Sequence, residues 1–366
     1  MMTGGDVQPE KIRNVELGRG LAALAVVFFH ANATMAFIGG PDVPWMRLGE
    51  HGVDFFFVLS GFIIFHAHSG DIGKPYKFTD YIVKRIVRII PMLWIIVTVV
   101  CLAKVLFSSV ALTASQIFSS LLLYPSLQEP IPAVVWTLRH EAIFYVAFAG
   151  IILSKRLGLV IFALWLFCCL TQMFLVLNGT PITGLASFFV SSFQIDFVLG
   201  ALVAHFVTRR SRSSSRNPIL LALPILAALL LIESEFGISR SSLTDYTSFA
   251  STFWTVALGS AFAAVLYGLL RLEGLLRIHR FWVLLGGASY SIYLVHTFSN
   301  TIMQRALVHF PAGVQENFGH VLLVVAGVSA GIALHLFIEK PLTRKLRQAL
   351  LRSTPQRVNL QLHEAG

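Results

Sequence analysis

An arginine and a histidine interrupt the first long apolar run, NVELGRGLAALAVVFFHANATMAFIGG, which extends over residues 14–40. Arg19 and His30 are eleven residues apart. At 100° per residue this is close to three helical turns, so both side chains lie on one face, about 16 Å apart along the axis. Ionisable groups at that depth are disfavoured against lipid and are expected to face a bundle interior or a water-filled cavity. The chemistry on offer is proton transfer by His30, with Arg19 as a cationic group that attracts an anion. The same face also suits packing, with His30 bonded to a neighbouring helix and Arg19 snorkelling to the interface.

Other apolar segments carry polar side chains of the same kind. Asp54 follows His51 by three residues in HGVDFFFVLSGFIIFHAH. In WTLRHEAIFY, Arg139 and His140 precede Glu141, and Tyr145 lies four residues beyond Glu141 on the same helix face. Asp54 and Glu141 are both candidates to orient His30 or share its proton, and Arg139 is a candidate to keep Glu141 ionised. Spacing does not choose between the two carboxylates. GGASYSIYLVH puts Ser289, Tyr293 and His296 at i, i+4 and i+7, again one face, suited to a site or to interhelical hydrogen bonds. Lys84, Arg85 and Arg88 form a basic cluster that serves either as an orientation anchor or as a rim where phosphate docks through charge-assisted bonds.

Several chemistries find no support. Cys101, Cys168 and Cys169 all fall in apolar runs, without the spacing of a metal site or a disulfide framework. No nucleotide-binding loop, zinc signature or hydrolase serine elbow occurs, so no metal is expected. A histidine with an acidic partner and a cationic mouth then points to proton abstraction from a hydroxyl that attacks an activated acyl group. A proton-coupled secondary transporter built on Asp54, Glu141, His30 and His296 is the alternative from a different class. Against it, no internal repeat relates the two halves of the chain.

The elements that must position these groups are membrane helices. Only 13% of the 366 residues are charged, against roughly 25% in soluble domains, and mean hydropathy is +0.75. A chain of this size cannot hide so much apolar surface in a water-soluble core. Spans are expected at residues 14–40, 51–66, 88–107, 133–153, 157–177, 185–207, 218–232, 248–270, 281–304 and 318–337, an all-α bundle of about ten transmembrane helices. The second is short and expected to be tilted or irregular, packed closely through Gly61. Pro91 is expected in the first turn of the third span, and the 108–132 linker is expected to be interfacial or re-entrant. Glu339, Lys340 and Pro341 are expected to stop the last span.

The net charge of +10 is concentrated in alternate loops, above all in TRRSRSSSRNP, residues 208–218. That is the positive-inside pattern of a membrane protein and not a nucleic-acid arm. Both termini are therefore expected in the cytoplasm, with a leader at 1–13, a transmembrane domain at 14–341 and a tail at 342–366.

The pieces together resemble the acyltransferase-3 family of membrane acyltransferases, and more closely its exopolysaccharide-production branch. The resemblance is carried by Arg19 and His30, GVDFFFVLSGFII, YIVKRIVRIIPMLW, WTLRHEAIFY, DFVLGAL, GGASYSIYLVH and FIEKP, in order along nearly the whole chain. It implies an enzyme of the bacterial inner membrane that takes an acyl group, usually acetyl, from acetyl-coenzyme A in the cytoplasm. The acceptor would be a hydroxyl of a lipid-linked or growing polysaccharide, within reach of polysaccharide assembly proteins. By the same resemblance His30 is the essential residue, Arg19, Arg85 and Arg88 belong near the acyl donor, and Asp54, Glu141 and His296 are further polar positions.

Overall fold

The structure, a computed structural model, describes residues 12–108, 111–209, 217–236 and 247–351. Most of the leader, residues 210–216 of the basic segment, Arg240 and the tail beyond Leu351 lie outside the described residues. Every regular element among the described residues is a helix. Among the described residues, ten stretches are long and apolar enough to cross a membrane, and each overlaps one of the ten expected spans. The protein is an all-α polytopic membrane protein. The long helices are α1 (Arg13–Phe37), α2 (Gly52–His68), α3 (Phe78–Phe107), the short α4 (Ala114–Leu121), α5 (Trp136–Leu153), α6 (Lys155–Leu177) and α7 (Phe193–Arg209). They continue with α8 (Ile219–Phe236), α9 (Phe249–Arg271), α10 (Arg280–Leu307), α11 (Ala312–Leu334) and α12 (Lys340–Leu351).

One compact unit comprises Met1–Ala67 and Cys169–Ile332. Its centre is the pairing of α1 with α10, where Ala23 and Val27 meet Leu285, Ala288 and Ile292, all buried. Small residues drive this approach, because helices in lipid gain little from hydrophobic burial and associate through close packing. A Cβ on Gly286 would overlap the Glu16 carbonyl. The second helix does pack through Gly61: a side chain there would collide with the Phe197 carbonyl of α7, and one at Gly200 with the Val58 carbonyl of α2. Gly61→Val is therefore expected to destabilise the protein by ~1–3 kcal/mol through forced overpacking, read as a lower thermal midpoint in detergent. An unchanged midpoint would show that α2 and α7 separate freely.

The start of α1 is held from outside its own sequence. Ile12, its N-cap, offers no side-chain bond, and Glu273 accepts instead from the amides of Arg13 and Asn14, both at 2.9 Å. A carboxylate there satisfies orphan donors and complements the helix dipole. Asn14 Nδ2 adds a bond to the Leu269 carbonyl at 2.6 Å. On α8, by contrast, Leu220, Leu221 and Phe236 are exposed, as expected of a helix facing hydrocarbon.

The other unit comprises His68–Cys168 and Ala333–Gly366. Its helix α3 begins at Phe78, ten residues before the expected start, and Pro91 lies inside it rather than in its first turn. The apolar pattern begins near Arg88, but the amphipathic stretch before it continues the same helix. Pro91 removes a single backbone bond, which membrane helices tolerate. The 108–132 linker contributes α4, opened by a Thr113/Gln116 capping box and far too short to cross. The Glu339-Lys340-Pro341 sequence does not stop the last helix. His335–Glu339 forms a π-helical turn that leads directly into α12. The wider turn shifts the carbonyl that the Pro341 ring would otherwise strike.

Candidate functional site

Within the first unit, α1 and α10 bring His30 and His296 together. Their rings lie 4.8 Å apart between centroids, and His296 Nε2 is 3.2 Å from His30 Nδ1. His296 Nδ1 lies 3.1 Å from the Ile292 carbonyl, and His30 Nδ1 lies 3.0 Å from the Val26 carbonyl. A carbonyl only accepts, so this network assigns the tautomers. His296 Nδ1–H donates to Ile292, which leaves its Nε2 as an acceptor. His30 Nδ1–H donates toward that nitrogen and toward Val26. His30 Nε2 then keeps its lone pair, and no hydrogen bond occupies it among the described residues. The arrangement presents one imidazole nitrogen as a base and fixes the ring behind it.

Tyr293 packs beside His296 at 5.9 Å between ring centroids and beside Phe56 at 5.8 Å. Ser289, on the same face of α10, is 1% exposed, and its Oγ has no hydrogen-bond partner among the described residues. The far end of α1 is pinned two residues beyond His30. Asn32 Nδ2 donates to Asp42 at 2.8 Å, Asn32 Oδ1 accepts from the Val43 amide at 2.8 Å, and His320 Nε2 lies 3.2 Å from that oxygen. Arg47 pairs with the Asp42 carboxylate.

The Asp42 carboxyl is held below its ordinary value of 3.8, chiefly by the Arg47 hydrogen bond and next by Asn32. A depressed carboxyl stabilises the fold above the unfolded value, and that contribution disappears as pH falls through the lower folded value. Asp42→Asn is therefore expected to be less stable than the parent at neutral pH and to converge with it well below pH 3.8. A gap in thermal midpoint that persists in acid would contradict the ionic origin. The effect is modest because the pair is partly exposed and screened.

Asp54 does not pair with His30. Its Oδ2 lies 3.2 Å from His51 Nδ1, whereas the bonds of the His30 ring go to Val26 and His296. The i, i+3 spacing on α2 delivers Asp54 to its own helix start, while His30 meets a helix far away in sequence. Arg19 is partly buried and lies 3.5 Å from Glu16.

In the second unit, Arg85 is framed by aromatic and polar groups. Its guanidinium is 5.8 Å from the Tyr81 ring and 5.7 Å from the Tyr145 ring, and Nη2 lies 3.4 Å from His68 Nε2. His68 in turn bonds Asp71 at 2.8 Å. Tyr145 Oη donates to Glu141 at 2.5 Å, so the expected i, i+4 face is formed. Arg139 serves the 108–132 linker. It is 1% exposed and donates to the Ser126 and Gln128 carbonyls and to Ser119 Oγ, each at 3.0 Å, which clamps the linker that follows α4. Arg88 pairs with the buried Glu339, which also bonds His335 at 2.7 Å. By sequence Glu339 is expected at a helix end, and His335 and His68 carry no expected role. The i, i+4 spacing in HLFIE and the i, i+3 spacing in HSGD were the signals available for them.

The sequence belongs to a recognised class. The family described as an acyltransferase domain matches residues 12–338, and the chain belongs to it. The relatives it resembles narrow the context. The exopolysaccharide production protein ExoZ of Rhizobium meliloti (strain 1021) is 29% identical over 315 residues, covering 82% of this chain and 91% of that protein. The putative peptidoglycan O-acetyltransferase YrhL of Bacillus subtilis (strain 168) is 27% identical over 363 residues, covering 88% of this chain and 54% of that protein. No solved structure matches the chain.

Proposed function

We propose that this membrane acyltransferase moves an acyl group, acetyl in the first instance, from acyl-coenzyme A to a hydroxyl of a surface or exported carbohydrate. The observation that carries the proposal is the His296–His30 relay, which leaves His30 Nε2 as a base. That nitrogen takes the proton of the acceptor hydroxyl as its oxygen attacks the thioester carbonyl. The carbon–sulfur bond breaks, the thiolate of coenzyme A leaves, and the proton held on His30 is returned to solvent or to the thiolate. His296 acts through His30 and is a positioning residue.

The donor assignment rests on the family resemblance and on charge. Arg19, Arg85 and Arg88 offer guanidinium groups suited to phosphate. Tyr81 and Tyr145 hold the Arg85 group at fixed height over their faces, which favours a preorganised cation over a mobile one. The carbohydrate acceptor is proposed from the names of the two relatives. Placement in the bacterial inner membrane with cytoplasmic termini follows from the positive-inside pattern and from the cytoplasmic source of coenzyme A.

The deciding experiment compares surface glycans by mass spectrometry from cells carrying the parent chain, the His30→Ala chain or neither. An acyl mass present only with the parent chain supports the proposal. Glycans of equal mass in all three, with gradient-driven uptake of a solute by the purified protein in liposomes, would replace it with a transporter.

A further inference from the structure

A second polar cluster lies at the opening of α2, where His51 is 1% exposed. Its imidazole faces carboxylates on several sides. Asp54 Oδ2 lies 3.2 Å from Nδ1, Glu233 Oε2 from α8 lies 2.5 Å from Nε2, and Glu50 Oε1 lies 3.7 Å from Nε2. The donor atoms of Glu50, His51 and Glu233 all fall within 4.8 Å of one another. Glu233 is 5% exposed, and neither of its carboxylate oxygens makes a hydrogen bond of acceptable geometry among the described residues. A buried carboxylate aimed at a histidine without a proper hydrogen bond needs a positive partner.

We propose that Glu50, His51 and Glu233 bind a divalent cation of the zinc type, with Asp54 orienting His51. One imidazole nitrogen and carboxylate oxygens are the donors that zinc accepts, at about 2.0–2.2 Å each. Two such donors in a tetrahedral shell lie about 3.4 Å apart. The Glu50–His51 distance of 3.7 Å is already near this value. Glu233 Oε2, at 2.5 Å from Nε2, has to move away by about 1 Å to admit an ion between them. Asp54 on Nδ1 completes a carboxylate–histidine–metal arrangement, which holds the ring's tautomer and raises its basicity. The ion would join the start of α2 to the end of α8 through side chains that the His30–His296 pair does not use. The ligands come from two helices distant in sequence, which is why no metal-ligand spacing shows in the chain.

The test uses the full-length protein in detergent, stripped with chelator, exposed to zinc chloride and freed of excess metal. About one zinc more per chain than in Glu233→Gln is expected by elemental mass spectrometry, with a raised thermal midpoint in the parent only. Asp54→Asn is expected to weaken zinc binding by about 10–100-fold without abolishing it. His30→Ala is expected to retain the metal. Should Glu233→Gln fail to fold, Glu50→Gln at the more exposed ligand supplies the comparison. Retention of manganese in preference to zinc would keep the site and change its ion. Equal zinc in the parent and in a folded ligand variant would overturn the proposal.

Discussion

Replacing His30 by alanine is expected to lower acyl transfer by about 10²–10⁴-fold while the protein still folds, because general-base assistance contributes on that scale. The effect should fall on turnover, with the Michaelis constant for the acyl donor little changed, since His30 acts on the acceptor proton. His296 supplies the sharper test of the relay. His296→Gln keeps an oxygen that accepts the His30 Nδ1–H, whereas His296→Phe fills the space and offers none. Activity should survive better in the glutamine variant, and the two variants should share one thermal midpoint. A His30→Ala protein that acylates at the parent rate would remove the base from the mechanism. Equal losses in His296→Gln and His296→Phe would reduce His296 to a packing residue.

Arg88→Ala is expected to destabilise the second unit by ~3–5 kcal/mol, because it withdraws a cation from the buried Glu339 carboxylate. Glu339 is 1% exposed, and His335 bonds its other oxygen at 2.7 Å. The double variant Arg88→Met with Glu339→Gln removes both charges and should recover much of the loss, since an absent ion pair is less harmful than a broken one. The same double variant separates structure from chemistry. With the fold restored, a Michaelis constant for acetyl-coenzyme A that stays raised assigns Arg88 to the donor. A constant that returns to the parent value makes Arg88 a structural ion-pair residue. Parent-like stability in Arg88→Ala alone would mean that the pair is exchanged easily for water.

Much of the architecture was legible because membrane helices answer to one overriding physical requirement. Each span must be long and apolar enough to cross hydrocarbon, and a run such as residues 133–153 announces this without help from its neighbours. Hydropathy is silent at amphipathic turns and at buried charges. The first turns of α3 are amphipathic, so hydropathy placed its start near Arg88 although the helix begins at Phe78. Glu339 and Pro341 read as a terminator, yet a π-turn carries the helix past them because Glu339 is buried on a partner. Gly61 was legible as a contact point, but not the carbonyl of Phe197 that it admits.

By itself the sequence determined that this is a helical membrane protein, that Arg19 and His30 share a face of its first span, and that Ser289, Tyr293 and His296 share a face of a later one. Those statements need only the period of a helix and the thickness of a bilayer. Only the tertiary structure decided that His296, 266 residues away, is the group behind His30, and that Asp54 belongs instead with His51 and Glu233. Helical spacing fixes which residues look the same way, but not which helix stands opposite or how it is rotated. Those are set by where small residues let backbones meet, as Gly20 and Gly286 do between α1 and α10.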